Sequence, residues 1–435
     1  MASIQFIKDD KYRVFLCVNR RRTSKVIKAK SMKDAEKQAW IMERKIEETG
    51  RFDGETLKEK SSLHLIDLSE KYMVHLRKKN RPIKEKTRQK YQDILSNNIL
   101  PYFKGYTLTS IDSYEIEKFQ RFLGTPEARV NKSKKKPYAQ STISEIYKLL
   151  DAMLKKAVMW RMIPENPCDY VEKIVVEKQD VTYYSASQIA QLLKLIDEDT
   201  QLVLDRAHVM SKRSNYHPYT IQKEVITALM KQLIVNLAIK TTARRGEILG
   251  LRRGDIDLEK KKITYSRSVL YTKDEGTYVE KGLKTKDTNT VYINNSLAEM
   301  IKNYYQEMDK LFEVSGGQIQ PTDLLFIALK NTKNNKVGGI LFPDPISEWF
   351  KHFLQDHGMP PITFHKLRSS GLTYLANNGV DILTVAGIAG HSSTEVTERY
   401  YIEGYDSGKI NAAAKFDNLD SLVKNRNTIT EEEKK

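Results

Sequence analysis

The chain reads as a mainly α-helical, multidomain protein carrying small β-sheets. Three observations lead there. Its first stretch alternates apolar and polar residues in short runs, the period of strands. Residues 62–170 then space apolar side chains three and four apart, the period of helices. From about Thr182 the pattern restarts, with longer helical segments around one cluster of strand-like runs. With 435 residues there is room for two or three domains. The expected boundaries are a β-rich N-terminal domain (1–60), a helical domain (62–170), a linker (171–182), a mixed α/β domain (183–415) and a tail (416–435).

In the N-terminal domain, strands are expected over 4–8, 12–18 and 25–29, with Asp9-Asp10 and Arg20–Arg22 in the turns. A helix follows, with Ser31 as N-cap and Asp34 as the acidic member of a capping box. Met32, Ala35, Ala39, Met42 and Ile46 form its apolar stripe. A three-stranded sheet on one helix has a shallow core. Its basic residues, Arg20, Arg21, Arg22, Lys25 and Lys28 among them, suit a nucleic-acid groove or phosphates; the competing reading is a solvated basic face.

In the helical domain, Leu65, Leu68, Tyr72 and Leu76 space one helix. Tyr91, Ile94 and Leu95 anchor a second that should end before Pro101. Segments 111–123 and 142–160 supply two more. Between them VNKSKKKPY is a basic loop, whose Lys132, Lys134, Lys135 and Lys136 suit phosphate contact. Pro164 and Pro167 then lead into an extended linker.

In the last domain Ser185 or Ser187 caps a helix carrying Ile189, Leu192, Leu193 and Ile196. HVMSKRSNYHPYT reads as a loop, and 225–240 as a largely apolar helix. Runs 262–270, 277–282 and 290–293 read as one small antiparallel sheet. Helices are expected over 297–312, 345–355, 365–378 with Gly379 as C-cap, and 381–388 from an Asp N-cap.

Composition narrows the partners. Lys plus Arg number 73 against 56 Asp plus Glu, a formal net charge of +17. A surplus of this size points to a polyanion, nucleic acid first. No apolar run approaches a membrane span of roughly 20 residues, and the N-terminus has no apolar signal core. Cys17 and Cys168 are the only cysteines, too few for a disulfide framework or a cysteine metal site. A cytoplasmic setting is the expectation.

Chemistry concentrates in the last half. Arg244 stands in TTARRGEILGL at the expected end of the apolar helix, with Glu247 a turn later to hold it. Lys284 stands in GLKTKD, His365 and Arg368 in FHKLRSS, His391 in AGHSS, and Tyr400 in TERYY. Arginines, a lysine and histidines hold a phosphate and move protons around it, and a tyrosine beside them can attack it. There is no HExxH pattern and no acidic ligand at helical spacing beside either histidine, so no metal is expected. Each residue has an ordinary counterpart reading: a one-turn salt bridge for Arg244 and Glu247, a hairpin lysine for Lys284, structural histidines for the rest.

The motifs TTARRGEILGLRRGDID, KTKDTNTVYI, HKLRSSGLTYLANNGVDILTVAGIAGHSS and VTERYY, in this order over roughly 180–405, resemble the tyrosine recombinases, the phage-integrase family. More loosely, the helical domain resembles that family's core-type DNA-binding domain. The N-terminal one resembles the arm-binding domain of temperate-phage and conjugative-transposon integrases. The resemblance implies that Arg244 and Arg368 clamp the scissile phosphate, with Glu247 in support. Lys284 would be the general acid, His365 would assist as base, and His391 would hydrogen-bond the phosphate. Tyr400 would be the nucleophile, forming a 3′-phosphotyrosyl bond with no cofactor. Tyr401 is its neighbour and alternative. The implied partners are double-stranded DNA at arm-type and core-type sites, a homotetramer on that DNA, and a directionality factor or host DNA-bending protein. The implied setting is a bacterial cytoplasm at the nucleoid. A type IB topoisomerase-like strand transferase and a catalytically silent DNA-binding regulator are the rival readings. The N-terminal domain argues against the first and the full set of basic residues with Tyr400 against the second.

Overall fold

The structure is a computed structural model that describes residues 3–18, 21–49, 63–78, 82–129, 136–176, 182–213, 217–284, 287–320, 322–391, 393–398 and 416. The chain divides into two compact units, Met1–Glu177 and Lys178–Lys435.

In the first unit an antiparallel sheet runs β1 (Ser3–Lys8), β2 (Lys11–Val18), β3 (Arg21–Lys28). Tyr12, Val14 and Leu16 alternate inward and meet Ile27, Ala29, and Ala35 and Ala39 of helix α1 (Met32–Thr49). The Ser31 hydroxyl accepts from the Asp34 amide at 3.2 Å, as a cap should. The Asp34 carboxylate, however, accepts from the Lys30 amide at 3.1 Å rather than from Ser31. The third strand starts earlier than the sequence suggests. Arg21 and Arg22 pair with Val18 and Cys17 instead of turning, because antiparallel register carries the ladder to the hairpin end.

Helices α2 (Leu65–Arg77), α3 (Glu85–Ile94), α4 (Ser113–Leu123) and α5 (Gln140–Met159) surround a separate core. Leu65, Leu68, Tyr72 and Leu76 are all buried in it. The second helix does not stop before Pro101. It widens into a π segment, Leu95–Ile99, and resumes as a short turn, Leu100–Tyr102. Proline lacks an amide and crowds the preceding turn, and the π register accommodates both defects. Tyr102 and Phe103 thereby reach Phe119, with ring centroids 4.9 and 5.0 Å away.

The second unit is organised on α7 (Pro218–Lys240), where Leu233 to Ile239 are buried without a break. Against it pack α6 (Ala186–Ser211), α9 (Asn295–Val314) and α11 (Lys366–Asn377), with α10 (Asp344–Asp356) between the last two in sequence. Ser185 caps α6, accepting from the Gln188 amide at 3.3 Å. The expected loop of HVMSKRSNYHPYT shrinks, since α6 keeps His208 to Ser211 and Pro218 opens α7; proline suits a first helical turn. The expected single sheet is two. β4 (Ile256–Asp257), β5 (Lys262–Tyr265) and β8 (Asn289–Tyr292) form one, β6 (Arg267–Thr272) and β7 (Gly276–Lys281) the other. The run expected over 262–270 breaks at Ser266 and contributes a strand to each.

Two glycines set the packing beneath the site. Gly371 lies where α11 crosses α7, and a Cβ there would strike the Ile239 carbonyl oxygen and lie 3.1 Å from Thr242 Cγ2. Gly390, at φ 63°, ends helix α12 (Ile382–Ala389) in the left-handed conformation. No helix of the described residues is long and apolar enough to cross a membrane.

Candidate active site

Arg244 is not at the end of the buried helix. That helix stops at Lys240, and Arg244 is the N-cap of a new short helix, α8 (Arg245–Leu249). The break is Thr242, fully buried at φ 53°. A β-branched residue with positive φ is strained by roughly 1–2 kcal/mol. Its hydroxyl also has no partner among the described residues. The kink aims the Thr242 carbonyl at Arg368 Nη1, 2.7 Å away. Glu247, 4 % exposed, accepts from the Arg244 amide at 3.0 Å and from its Nη1 at 2.8 Å. One carboxylate thus fixes backbone and guanidinium together. The other arginines of the motif are turned to partners elsewhere: Arg245 to Asp344, Arg252 to Asp323 and Arg253 to Asp309.

Arg368 is buried on the first turn of α11. Its Nη1 donates to Thr242 O, its Nη2 to Ala389 O at 2.7 Å and to His391 Nε2 at 2.9 Å. Backbone carbonyls at two chain reversals therefore hold one guanidinium. Gly390 makes the second reversal possible. The Gly390 amide bonds Gly387 O and the His391 amide bonds Ala386 O, a Schellman closure that fixes His391 just beyond α12. The Asn289 amide, on β8, donates to Ile388 O at 2.9 Å and braces the same turn.

His365 stands at the N-cap of α11. Its pKa is pushed below the ordinary histidine value of 6.5, first by desolvation and then by Arg368 and Arg244, with Glu247 opposing. The residue keeps an exposed side, which limits the size of the shift, but desolvation and both arginines act in the same direction. A neutral imidazole at physiological pH is the form that accepts a proton.

The fold thus brings Arg244, Glu247, His365, Arg368 and His391 together. Lys284 lies exposed just after β7, and no hydrogen bond or ion pair among the described residues joins it to that group. Tyr400 and Tyr401 lie outside the described residues, as do Arg20, Lys132, Lys134 and Lys135. For Arg21 and Arg22 only the backbone is described. Lys25, Lys28 and Lys136 are exposed. Sequence reasoning passed over Thr242, Asn289 and the hydroxyl of Thr397, which meets His391 Nδ1 at 2.9 Å. A residue following a helix without glycine was the available signal for Thr242; nothing in the sequence flagged Asn289.

Two arginines, one of them buried, converge with two histidines, an arrangement whose chemistry suits an anionic group such as a phosphate. Comparison with known proteins makes this specific. The model of the phage integrase family matches residues 185–406, and that of the phage integrase N-terminal SAM-like domain matches 65–124. The ICEBs1 integrase of Bacillus subtilis is 24% identical over 332 residues, 76% of this chain and 77% of that one. A putative prophage phiRv2 integrase of Mycobacterium tuberculosis is 24% identical over 324 residues, 74% of this chain and 71% of its own. Among solved structures, the Tn1549 transposon integrase in complex with a circular-intermediate DNA superposes with a TM-score of 0.55 at 17% identity, covering 82% of this chain and all of that one. The chain belongs to the phage integrase family and is a tyrosine recombinase of the phage or conjugative-transposon type.

Proposed function

We propose that this integrase recombines DNA through a 3′-phosphotyrosyl intermediate formed on Tyr400. Arg244 and Arg368 take the nonbridging oxygens of the scissile phosphate, with Glu247 holding Arg244. The Tyr400 oxygen attacks phosphorus as His365 accepts the phenolic proton. The P–O5′ bond breaks, and Lys284 protonates the departing 5′ oxygen. His391 hydrogen-bonds the phosphate. The reverse attack by a 5′-hydroxyl from a second duplex completes exchange. The phosphodiester energy is kept in the tyrosyl ester, so the scheme uses no nucleotide. One observation carries the reading: Arg368 is buried, its guanidinium fastened by two carbonyls and set against His391. A buried, prealigned cation is suited to charge that develops in a transition state.

The DNA-binding assignments belong to the same proposal. Residues 1–60 would bind arm-type sites through Arg20, Arg21, Arg22, Lys25 and Lys28. Residues 62–170, with Lys132, Lys134, Lys135 and Lys136, would bind core-type sites. The linker 171–182 would join them to a catalytic domain over 183–415 that works as a tetramer in a bacterial cytoplasm, at the nucleoid, with a directionality factor or host DNA-bending protein. A nicked suicide substrate tests the chemistry. Wild type and Tyr401→Phe should trap a covalent complex and Tyr400→Phe none, and peptide mapping should find the phosphate on Tyr400. Phosphate on Tyr401 would move the nucleophile by one residue. Phosphate on neither would end the scheme.

A further inference from the structure

We propose that Thr397 is a positioning residue for His391, its hydroxyl fixing the proton arrangement of that ring and tying it to the segment that bears the nucleophile. The inference rests on the catalytic scheme above and deepens it. Its basis is a chain of three groups. A guanidinium carries only donors, so at 2.9 Å from Arg368 Nη2 the His391 Nε2 must accept. The ring proton therefore sits on Nδ1, and Nδ1–H donates to Thr397 Oγ1, 2.9 Å away. Thr397 is fully buried, so this acceptor does not compete with bulk water. It lies in the short helix α13 (Glu395–Glu398), three positions before Tyr400 in sequence. The Schellman turn fixes the His391 backbone, but it leaves the ring free to rotate about its own side-chain bonds; the threonine hydroxyl removes that freedom. Ring orientation in the phosphate centre then depends on α13 being seated. When a phosphate oxygen takes Arg368, His391 keeps its Nδ1–H···Oγ1 bond without turning, and Nε2, no longer accepting from the guanidinium, takes a proton from solvent and donates it in a hydrogen bond to the phosphate.

Isosteric substitutions separate this from simple packing. Thr397→Val keeps shape and loses the hydroxyl; Thr397→Ser keeps the hydroxyl and loses the methyl. Single-turnover cleavage of the nicked substrate should fall at least ~10-fold in Thr397→Val, the lower range for a group that orients a catalytic side chain. Thr397→Ser should stay within about 3-fold of wild type, and DNA affinity should hold in both. In the wild-type full chain, ¹⁵N-histidine NMR should show the His391 resonance, assigned with His391→Gln, as the Nδ1–H tautomer. Cleavage that is retained in Thr397→Val, whether or not Thr397→Ser loses it, would mean that the hydroxyl is not needed and overturn the proposal. So would an Nε2–H tautomer, which is read without any Thr397 variant. If wild type itself gave no covalent complex, the catalytic scheme would fall instead, and the tautomer would still decide the Thr397 contact.

Discussion

Gly371→Ala is the perturbation that joins the fold to the site most directly. Gly371 faces α7 where α11 crosses it, and an added Cβ would lie inside the closest approach that real Cβ atoms make, against the backbone oxygen of Ile239. The obstacle is a helix carbonyl, not a side-chain end, so it cannot swing aside. The second neighbour, Thr242 Cγ2 at 3.1 Å, is itself held in a strained, fully buried residue. Relief requires the two helices to part by about 1 Å, an overpacking cost of roughly 1–3 kcal/mol or somewhat more. Arg368 is one helical turn before Gly371, and its contacts to Thr242 O and Ala389 O are 2.7 Å each. A shift of about 1 Å lengthens both beyond useful hydrogen bonds and moves the guanidinium off the phosphate, an error worth about 10²-fold in rate. The assay is paired: thermal unfolding of the full chain, and single-turnover cleavage at saturating DNA. The expected result is a lower melting temperature with cleavage down ~100-fold while DNA affinity changes little. A Gly371→Ala protein that melts and cleaves like wild type would refute the close-packing argument.

Arg244→Ala should remove cleavage by at least ~100-fold. It should also destabilise the chain by about 3 kcal/mol, because Glu247 is left as a buried carboxylate without its cation. Adding Glu247→Gln should restore most of that stability, measured by urea unfolding, and none of the cleavage. The depressed pKa of His365 sets a pH prediction. Its neutral form should persist as pH falls past 6.5, so the acid limb of the cleavage profile should lie below that value and vanish in His365→Gln. In stability the sign is the same: the unfolded chain takes up the proton first, so His365 favours unfolding as pH drops below 6.5. Thr242→Gly should raise stability by about 1 kcal/mol. Release of left-handed strain and of an unpaired hydroxyl outweighs a lost methyl and the greater freedom of the unfolded glycine; a fall in melting temperature would show that the strain is not there.

Legibility along this chain followed the range of the interactions involved. Local periodicity located α2 and placed α5 within two residues at either end, because three-and-four spacing such as that of Leu65, Leu68, Tyr72 and Leu76 needs no distant partner. It failed at Pro101, where packing of Tyr102 and Phe103 on Phe119 favours a π register over a helix end, and at Ser266, where one run feeds two sheets. The site divides the same way. Arg244, Glu247, His365, Arg368 and His391 were readable as residue types in motifs. What holds them was not, since Thr242 O, Ala389 O, Asn289 and the Thr397 hydroxyl act across 126, 21, 99 and 6 positions and two of these are bare carbonyls. A carbonyl carries no side-chain signature, so its role appears only when the chain reverses to present it. Both reversals depend on left-handed residues, Thr242 and Gly390, and only one of them is a glycine. The strained threonine thus stands where the local rule for left-handed positions is broken and the buried Arg368 guanidinium is held, and such departures gather where a side chain must be placed for more than folding.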